Sequence, residues 1–171
     1  GIWHRAWMGL SDSPGPSRIN TERIVRFSRD MTELQPNIVK NWEVSGNGKE
    51  VTFYMREGMR WSDGEPLTAD DILFWYEDVV GNEELSPSPP ALLRLGDGVG
   101  EVVKVDDYTF KLVYPQAHGL LIPTLAGPRA GINGNFYPKH FLSQFHPNYV
   151  SESELEAKVA EADYDAWYQL F

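Results

Sequence analysis

The stretch that decides the fold is Gly48-Lys49-Glu50-Val51-Thr52-Phe53-Tyr54-Met55-Arg56-Glu57-Gly58-Met59-Arg60-Trp61-Ser62-Asp63-Gly64-Glu65-Pro66-Leu67-Thr68-Ala69-Asp70-Asp71-Ile72. Apolar and polar residues alternate in its first part and place Val51, Phe53 and Met55 on one face, which is typical of a half-buried strand. Trp42-Glu43-Val44-Ser45 alternates in the same way. Gly46-Asn47-Gly48-Lys49 lies between the two runs and tolerates positive φ, so the segment predicts a β-hairpin.

The second part of this stretch predicts a helix that begins after Thr68. The Thr68 hydroxyl can accept a hydrogen bond from a free N–H in the first turn, and Asp71 completes a capping box three residues later. Apolar residues then repeat at helical spacing, at Ile72, Trp75 or Tyr76, and Val79. The pair Gly81-Asn82 ends the element. The pattern therefore predicts one buried helical face ending near Gly81.

Two acidic features of the stretch have a second interpretation as catalytic or metal-binding groups. Asp70 and Asp71 are adjacent, and neighbouring helical residues point about 100° apart, so their carboxylates do not converge on one atom. Asp63-Gly64 is typical of a turn. We favour capping for the aspartate pair and a turn for Asp63-Gly64.

Composition bounds the class of protein. The chain has 171 residues, of which 42% are apolar and 13% aromatic, so it predicts one globular domain. Its formal net charge of −10 disfavours nucleic acid and anionic membrane surfaces as partners. There are no cysteines, which excludes disulfides, thiolate catalysis and sulfur-based zinc sites. Six tryptophans and eight tyrosines suit either a core or a surface that stacks on sugars or peptides.

The rest of the chain predicts short elements around a second hairpin. Glu101–Val105 and Tyr108–Tyr114 form that hairpin, with Asp106-Asp107 at its turn. Shorter segments are a strand over Arg23–Phe27, a short helix or turn over Leu34–Val39, an extended linker over Ser86–Pro90 and a short helix within Gly119–Leu125.

Two further helices and an unusual ending are predicted near the C-terminus. Pro138 suits the first residue of a helix that reaches Phe145. Ser151-Glu152-Ser153-Glu154 is a capping box for a helix with Leu155, Val159 and Ala162 on one face. We expect Trp167–Phe171 to leave apolar surface without cover, which indicates a truncated chain.

The chain resembles the family 5 extracellular solute-binding proteins, the oligopeptide-, dipeptide- and nickel-binding components of ABC importers. Trp61–Ile72 matches the family's "WsDG.pltAdDV" run and is the most specific signal. The supporting matches extend from about Ile24 to Phe141 and comprise Leu34-Gln35-Pro36, Asn41–Ser45, Val51–Gly58, Val105–Leu112 and Tyr137-Pro138-Lys139-His140-Phe141.

This resemblance implies a fold, partners and a location. The expected fold is α+β, with antiparallel or mixed sheet hairpins and flanking helices, as in lobe I of a type II periplasmic binding protein. Residues 1–171 would form a single domain, a fragment of the N-terminal subdomain of that lobe, with the second lobe absent. The whole protein would be a monomer that is periplasmic or extracellular, with or without a lipid anchor. It would deliver a peptide or related small solute to ABC permease subunits.

Three functions were compared from the residues. The first is ligand capture for import, in which two lobes close around a solute. The second is an enzyme, which the sequence disfavours because it contains no nucleophile elbow, phosphate loop or Rossmann glycine pattern. The four histidines lack metal-ligand spacing, and His140 and His146 suit a helix surface or loop, so no metal or cofactor is expected.

The third function is carbohydrate binding, either as an oligosaccharide-binding member of the same family or as an aromatic-rich module. Burial of the tryptophans separates these alternatives. We expect Trp61 and Trp75 in the core and leave Trp3 and Trp7 open. The candidate ligand-binding residues are Trp3 and His4, and no catalytic or metal residue is assigned.

Overall fold

A computed structural model describes residues 23–127 and 136–171, and its centre is a four-stranded antiparallel sheet. The strands lie in the order β3-β4-β8-β7. Their bounds are Val39–Val44 for β3, Glu50–Met55 for β4, Glu101–Asp106 for β7 and Thr109–Val113 for β8. All strand pairs in the described part of the chain are antiparallel, so of the expected antiparallel or mixed arrangement the antiparallel form is present.

The first predicted hairpin is confirmed. β3 pairs with β4, and the turn between them contains Gly48 at φ +67°. Asn47 Oδ1 accepts hydrogen bonds from the Ser45 hydroxyl (2.7 Å) and the Lys49 N–H (3.0 Å), which stabilises the turn. The expected face of β4 is buried, since Val51, Phe53 and Met55 are at most 2% exposed.

The second predicted hairpin, β7-β8, joins the first through pairing of β4 with β8. This pairing brings Phe53 opposite Phe110, and their rings stack with centroids 5.1 Å apart. Phe110, Leu112 and Tyr114 are buried on the same face, as the alternation predicts. The sheet therefore has one apolar face packed on the core and one solvated face.

The predicted helix lies beside the edge strand β7 of this sheet. α1 spans Ala69–Phe74 and packs against β7, and a π-helical turn, Trp75–Val80, continues it. The capping box at Thr68 and Asp71 is present. Its end near Gly81 is confirmed, and the Gly81 N–H bonds to the Tyr76 carbonyl five residues earlier at 3.1 Å, which is π-type spacing.

Two small sheets flank the main one. β1, Val25–Phe27, pairs with β2, Leu34–Pro36, and β5, Arg94–Leu95, pairs with β6, Gly98–Val99. The helix or turn expected over Leu34–Val39 is wrong, because its ends belong to strands β2 and β3. Pairing with β1 supplies backbone partners that the short local pattern does not reveal.

The predicted helix within Gly119–Leu125 is present as α2, Leu121–Ala126, which packs on β1 and β2. The linker expected over Ser86–Pro90 has no regular secondary structure. Within the described ranges, no helix is both long and apolar enough to span a membrane.

The C-terminal part consists of short helices, of which the first packs against α1. α3 spans Lys139–Leu142 and continues as a 3-10 turn, Ser143–Phe145, so Pro138 is the N-cap residue and not the first helical one. α4 spans Glu152–Glu161 with the predicted capping box, and a 3-10 turn, Trp167–Gln169, follows.

Two expectations about this C-terminal part are wrong. Only Leu155 of the predicted α4 face is buried, whereas Val159 is half-buried and Ala162 is exposed, because the helix covers the domain with a single turn. The apolar end does not lack cover, since Leu170 is 7% and Phe171 2% exposed. Phe171 packs between Phe74 and Tyr137, with ring centroids at 6.0 and 6.4 Å.

Candidate functional site

The residues predicted to face a ligand, Trp3 and His4, lie outside the described residues, as does Trp7. Of the tryptophans assigned to the core, Trp75 is 5% exposed and Trp61 is half-buried against the same core. Trp75 is therefore in the core as expected, whereas Trp61 packs against the core and keeps part of its surface exposed.

The most specific sequence motif converges with the Tyr137–Phe141 motif on one buried carboxylate, that of Asp71. Its Oδ2 accepts hydrogen bonds from the Thr68 N–H at 2.9 Å and the Trp61 indole N–H at 3.2 Å. Its Oδ1 accepts from the Lys139 N–H at 3.0 Å. Asp71 is 3% exposed, so a single side chain joins the Trp61 turn, the start of α1 and the start of α3.

The electrostatics of Asp71 suit a structural role. Burial raises the pKa of its carboxyl group, while the N–H donors from Thr68, Lys139 and Trp61 oppose that rise. Both carboxylate oxygens are occupied by donors of the protein itself. At 3% exposed, the carboxylate is shielded from solvent and bonded to the chain's own N–H groups, which is typical of a structural role.

The turn beside Asp71 is held by an exposed pair. His140 Nε2 lies 2.7 Å from Asp63 Oδ2, and the Asp63 side chain is 50% exposed. The hydrogen bond from His140 lowers the pKa of Asp63, with a second contribution from the Glu65 N–H. The predicted Asp63-Gly64 turn is confirmed, with Gly64 at φ +96°.

Asp70 behaves differently from its neighbour, as the helix geometry predicts. Its Oδ1 lies 2.9 Å from Lys104 Nζ, which also pairs with Asp107 at 2.9 Å. The hydrogen bonds that Lys104 donates to Asp70 and then to Asp107 raise the pKa of Lys104. The adjacent aspartates thus serve separate contacts, one to the sheet and one to α3.

A second buried carboxylate, Asp78, lies on the π-helical turn and is 6% exposed. Its Oδ1 accepts from the Asn148 amide at 2.8 Å, and its Oδ2 accepts from the Tyr149 hydroxyl at 2.7 Å. His146 Nε2 lies 3.1 Å from the Asp78 carbonyl. Burial and then the bond to Asp78 raise the pKa of Tyr149, so its hydroxyl remains a donor.

His146 lies in a loop, one of the two positions expected for it, but it is 1% exposed and therefore buried and not at the surface. Four aromatic rings surround it at centroid distances of 5.2 to 6.2 Å, those of Phe74, Tyr149, Trp167 and Phe171. His140 matches the expectation for a helix surface, with a side chain 31% exposed. Across residues 23–127 and 136–171, no group of three His, Cys, Asp or Glu side chains could hold a metal ion.

We call the two carboxylates and their partners the polar seam; its members are Trp61, Thr68, Asp71, Asp78, Lys139, His146, Asn148 and Tyr149. Sequence reasoning identified Thr68 and Asp71 as a cap but did not find the Asp78 group. A signal was available, since Asp78 lies seven residues after Asp71 and therefore on nearly the same helical face. A carboxylate on the buried face of a helix requires hydrogen-bonding partners from another element.

Two solvent-open cavities lie away from this seam. The larger, about 500 Å³, is lined by Ser28, Arg29, Asp30, Thr32, Glu33 and Gln35. The other, about 380 Å³, is lined by Lys40, Tyr54, Glu57, Asp106, Asp107, Tyr108 and Thr109. Several of their charged groups already pair within the chain, such as Lys40 with Glu57 at 3.4 Å. Neither has the apolar, enclosed lining typical of a small-molecule site.

Comparisons with known proteins identify the family to which this chain is similar. The model of the family described as "Bacterial extracellular solute-binding proteins, family 5 Middle" matches residues 33–166. The periplasmic alpha-galactoside-binding protein of Rhizobium meliloti (strain 1021) is 31% identical over 161 residues, which are 90% of this chain and 22% of that protein. The dipeptide-binding protein of Escherichia coli (strain K12) is 30% identical over 132 residues, 67% of this chain and 24% of that protein.

Solved structures give the same result. An oligopeptide-binding protein OppA is 37% identical with a TM-score of 0.81, over all of this chain and 26% of that one. MelB from Agrobacterium fabrum C58, solved in complex with stachyose, is 29% identical with a TM-score of 0.68, over 92% of this chain and 24% of that one. The present chain therefore spans about a quarter of the length of these relatives.

Proposed function

This chain belongs to the bacterial extracellular solute-binding proteins of family 5, and from that premise we propose that it forms part of a protein that captures peptides or related small solutes for import. The observation that carries the proposal is the match of this whole chain to 26% of an oligopeptide-binding protein, with a TM-score of 0.81. We further propose that residues 1–171 are one domain, a fragment of lobe I, and that the ligand is enclosed only when a second lobe closes on it.

Within that function, the described residues would act as a rigid wall. The polar seam fixes the start of α1, the Trp61 turn and α3 to one another through partly buried hydrogen bonds to the buried Asp71 carboxylate. A wall that keeps its shape loses little conformational entropy when a ligand binds, which favours affinity. In this proposal the seam positions the lobe, and the contacts to the solute come from other residues, with Trp3 and His4 as candidates.

The proposal includes no catalytic step. Family 5 consists of solute-binding proteins. The buried carboxylates that an enzyme could use as acid or base, Asp71 and Asp78, have their oxygens occupied by donors from the chain. A substrate could reach neither group without breaking the seam, so turnover on any substrate would contradict the proposal.

The proposed partners and location follow from the family. The protein would work in the periplasm or outside the cell, as the relative named as periplasmic does, and would present its solute to ABC permease subunits. It would act as a monomer with no nucleic acid partner, which the net charge of −10 supports. The proposal covers a whole protein with or without a lipid anchor.

The ligand is tested on the full-length protein that carries these residues. Native mass spectrometry of protein purified without denaturation is expected to reveal retained peptides of several lengths. Calorimetric titration with a mixture of short peptides should then give saturable binding. A full-length, folded protein that neither retains nor binds peptides would overturn peptide capture.

A second measurement separates the fold proposal from the ligand proposal. The 171-residue chain alone, checked for folding by circular dichroism, is expected to bind peptide weakly or not at all. Micromolar binding by this chain alone would contradict the proposed need for a second lobe. It would leave peptide capture by the whole protein standing.

Oligosaccharide capture is the second candidate, and one observation favours it. The alpha-galactoside-binding relative matches 90% of this chain, and the stachyose complex of MelB has a TM-score of 0.68. Titration of the full-length protein with stachyose or raffinose, beside the peptide mixture, distinguishes the two classes. Saturable binding of the sugar with none of peptide would select this candidate.

A further inference from the structure

The part of the polar seam around Asp78 contains His146, and the partners of this histidine determine which of its ring nitrogens carries a hydrogen. The Asp78 carbonyl, 3.1 Å from His146 Nε2, can only accept, so Nε2 carries a hydrogen. The Asn148 backbone N–H, 3.3 Å from Nδ1, can only donate, so Nδ1 is unprotonated. The neutral Nε2–H tautomer is therefore the form that satisfies both contacts.

The contacts of the same cluster hold one loop on the π-helical turn. Asn148 and Tyr149 both bond to the Asp78 carboxylate, at 2.8 and 2.7 Å. The N–H groups of Tyr149 and Val150 bond to the His146 carbonyl at 3.0 and 3.3 Å. Residues 146–150 are thus attached to Asp78 by three side chains: the His146 ring, the Asn148 amide and the Tyr149 hydroxyl.

We propose that His146 is a proton-operated latch: protonation of its Nδ1 releases residues 146–150 from the π-helical turn that carries Asp78. A hydrogen on Nδ1 would point at the Asn148 N–H and turn an acceptor into a second donor. The loop must then move, and the bonds from Asn148 and Tyr149 to Asp78 are lost with it. The latch concerns the fold of this chain and does not depend on which solute is bound.

The surroundings of His146 oppose a positive charge. Aromatic rings from α1, the C-terminal 3-10 turn and Phe171 enclose it, and it is 1% exposed. Burial raises the pKa of Tyr149, and three carboxylates near the cluster, those of Asp78, Glu77 and Asp70, raise it further. Two further charged groups lie close by. Lys139 Nζ is 5.6 Å from the Tyr149 ring centroid, and Glu84 accepts a hydrogen bond from the Trp167 indole at 2.7 Å. Both Asp78 oxygens already accept from neutral donors.

These surroundings give the direction of the pH dependence. Burial lowers the pKa of His146 below its usual value of about 6.5, against a smaller raising effect of Asp78. The open loop binds the proton better than the closed one, so the closed loop is favoured above about pH 6.5 and loses stability as the pH falls through the lowered pKa. The opening equilibrium can rise at most about tenfold per pH unit, because one proton is involved.

Hydrogen exchange in the full-length protein tests the latch. The reporters are the amides of Tyr149 and Val150, and the internal control is the set of β4 amides in the sheet. After correction for intrinsic exchange, we expect the loop amides to lose protection by up to about tenfold per pH unit between about pH 6 and pH 5. The β4 amides should stay protected. Loop protection that does not change with pH would overturn the proposal.

Variants separate the latch from a general acid effect. His140→Gln removes a nearby exposed histidine paired with Asp63 and should keep the loop's pH dependence. His146→Gln should abolish it. Tyr149→Phe should increase opening at every pH and keep the slope, so it tests the proposal even if His146→Gln does not fold. A slope lost in His140→Gln, or lost in Tyr149→Phe, would contradict the assignment to His146.

Discussion

The four-stranded sheet and the polar seam are two regions of this chain that are stabilised by different interactions. The inner face of the sheet is apolar, with Phe53, Phe110 and Leu112 fully buried. Asp71, Asp78 and His146 of the seam are also buried, but hydrogen bonds form their contacts, and two of the partners, Asn148 and Tyr149, are themselves exposed. Burial stabilises the sheet directly, whereas in the seam it is tolerated only because each polar group has a partner.

This difference indicates which region should change its stability with pH and salt. Apolar packing has no protonation state, so the sheet should respond little to pH or salt. Each bond of the seam depends on the charge and tautomer of its partners, and removal of one group leaves others buried without a partner. We therefore expect the stability of the sheet to stay constant and the stability of the seam to vary with pH and salt.

The largest expected effect comes from the sheet core. Phe53→Ala removes a ring that is 0% exposed and stacked on Phe110, so the free energy of unfolding should fall by about 3 to 5 kcal/mol. Urea denaturation followed by circular dichroism measures it. Thr52→Ala on the opposite face is the matched control and should cost about 1 kcal/mol or less. Equal losses in the two variants would contradict the assignment of faces.

The seam should give the next largest effect. Asp71→Ala leaves the N–H groups of Thr68 and Lys139 and the Trp61 indole without their acceptor, so we expect a loss of about 3 kcal/mol. Thermal or urea unfolding measures this loss. Asp70→Ala, at the adjacent but partly exposed carboxylate, is the control and should cost no more than about 1 kcal/mol. If Asp70→Ala costs as much, the seam is not what holds this joint.

The smallest effect is expected where the two regions meet at the surface. Lys104→Gln removes the ion pairs that tie β7 to Asp70 and Asp107, both at 2.9 Å. The expected loss is about 0.3 to 1 kcal/mol, decreasing in high salt. Lys111→Gln, which removes a single 3.5 Å pair with Glu50, is the control and should cost less. A loss that is independent of salt would mean that Lys104 acts through packing.

The sequence predicted the sheet better than the seam for a physical reason. The alternation of Val51, Phe53 and Met55 is local, and a strand with one buried face must have it. The cap at Thr68 is local as well, because its partners lie within three residues. The resemblance carried by Trp61–Ile72 then identified the family that the comparisons confirm.

The misses concern contacts that are distant in the chain. Asp78 and Tyr149 are 71 residues apart, so no short pattern connects them. The burial of His146 and Phe171 depends on the same association; a helix surface or loop was expected for His146, whose loop is present but buried, and Phe171 was expected to lack cover. The ligand-facing residues Trp3 and His4 stay a prediction.

The hairpins, the capped helix and the family can be read from the amino-acid order alone, since periodicity and caps act between residues close along the chain. Only the tertiary structure decided which polar groups are buried and what satisfies them. A carboxylate in a helix looks the same in sequence whether it faces water or a distant tyrosine. Its role is set by the element that packs against it, and that is a property of the assembled fold.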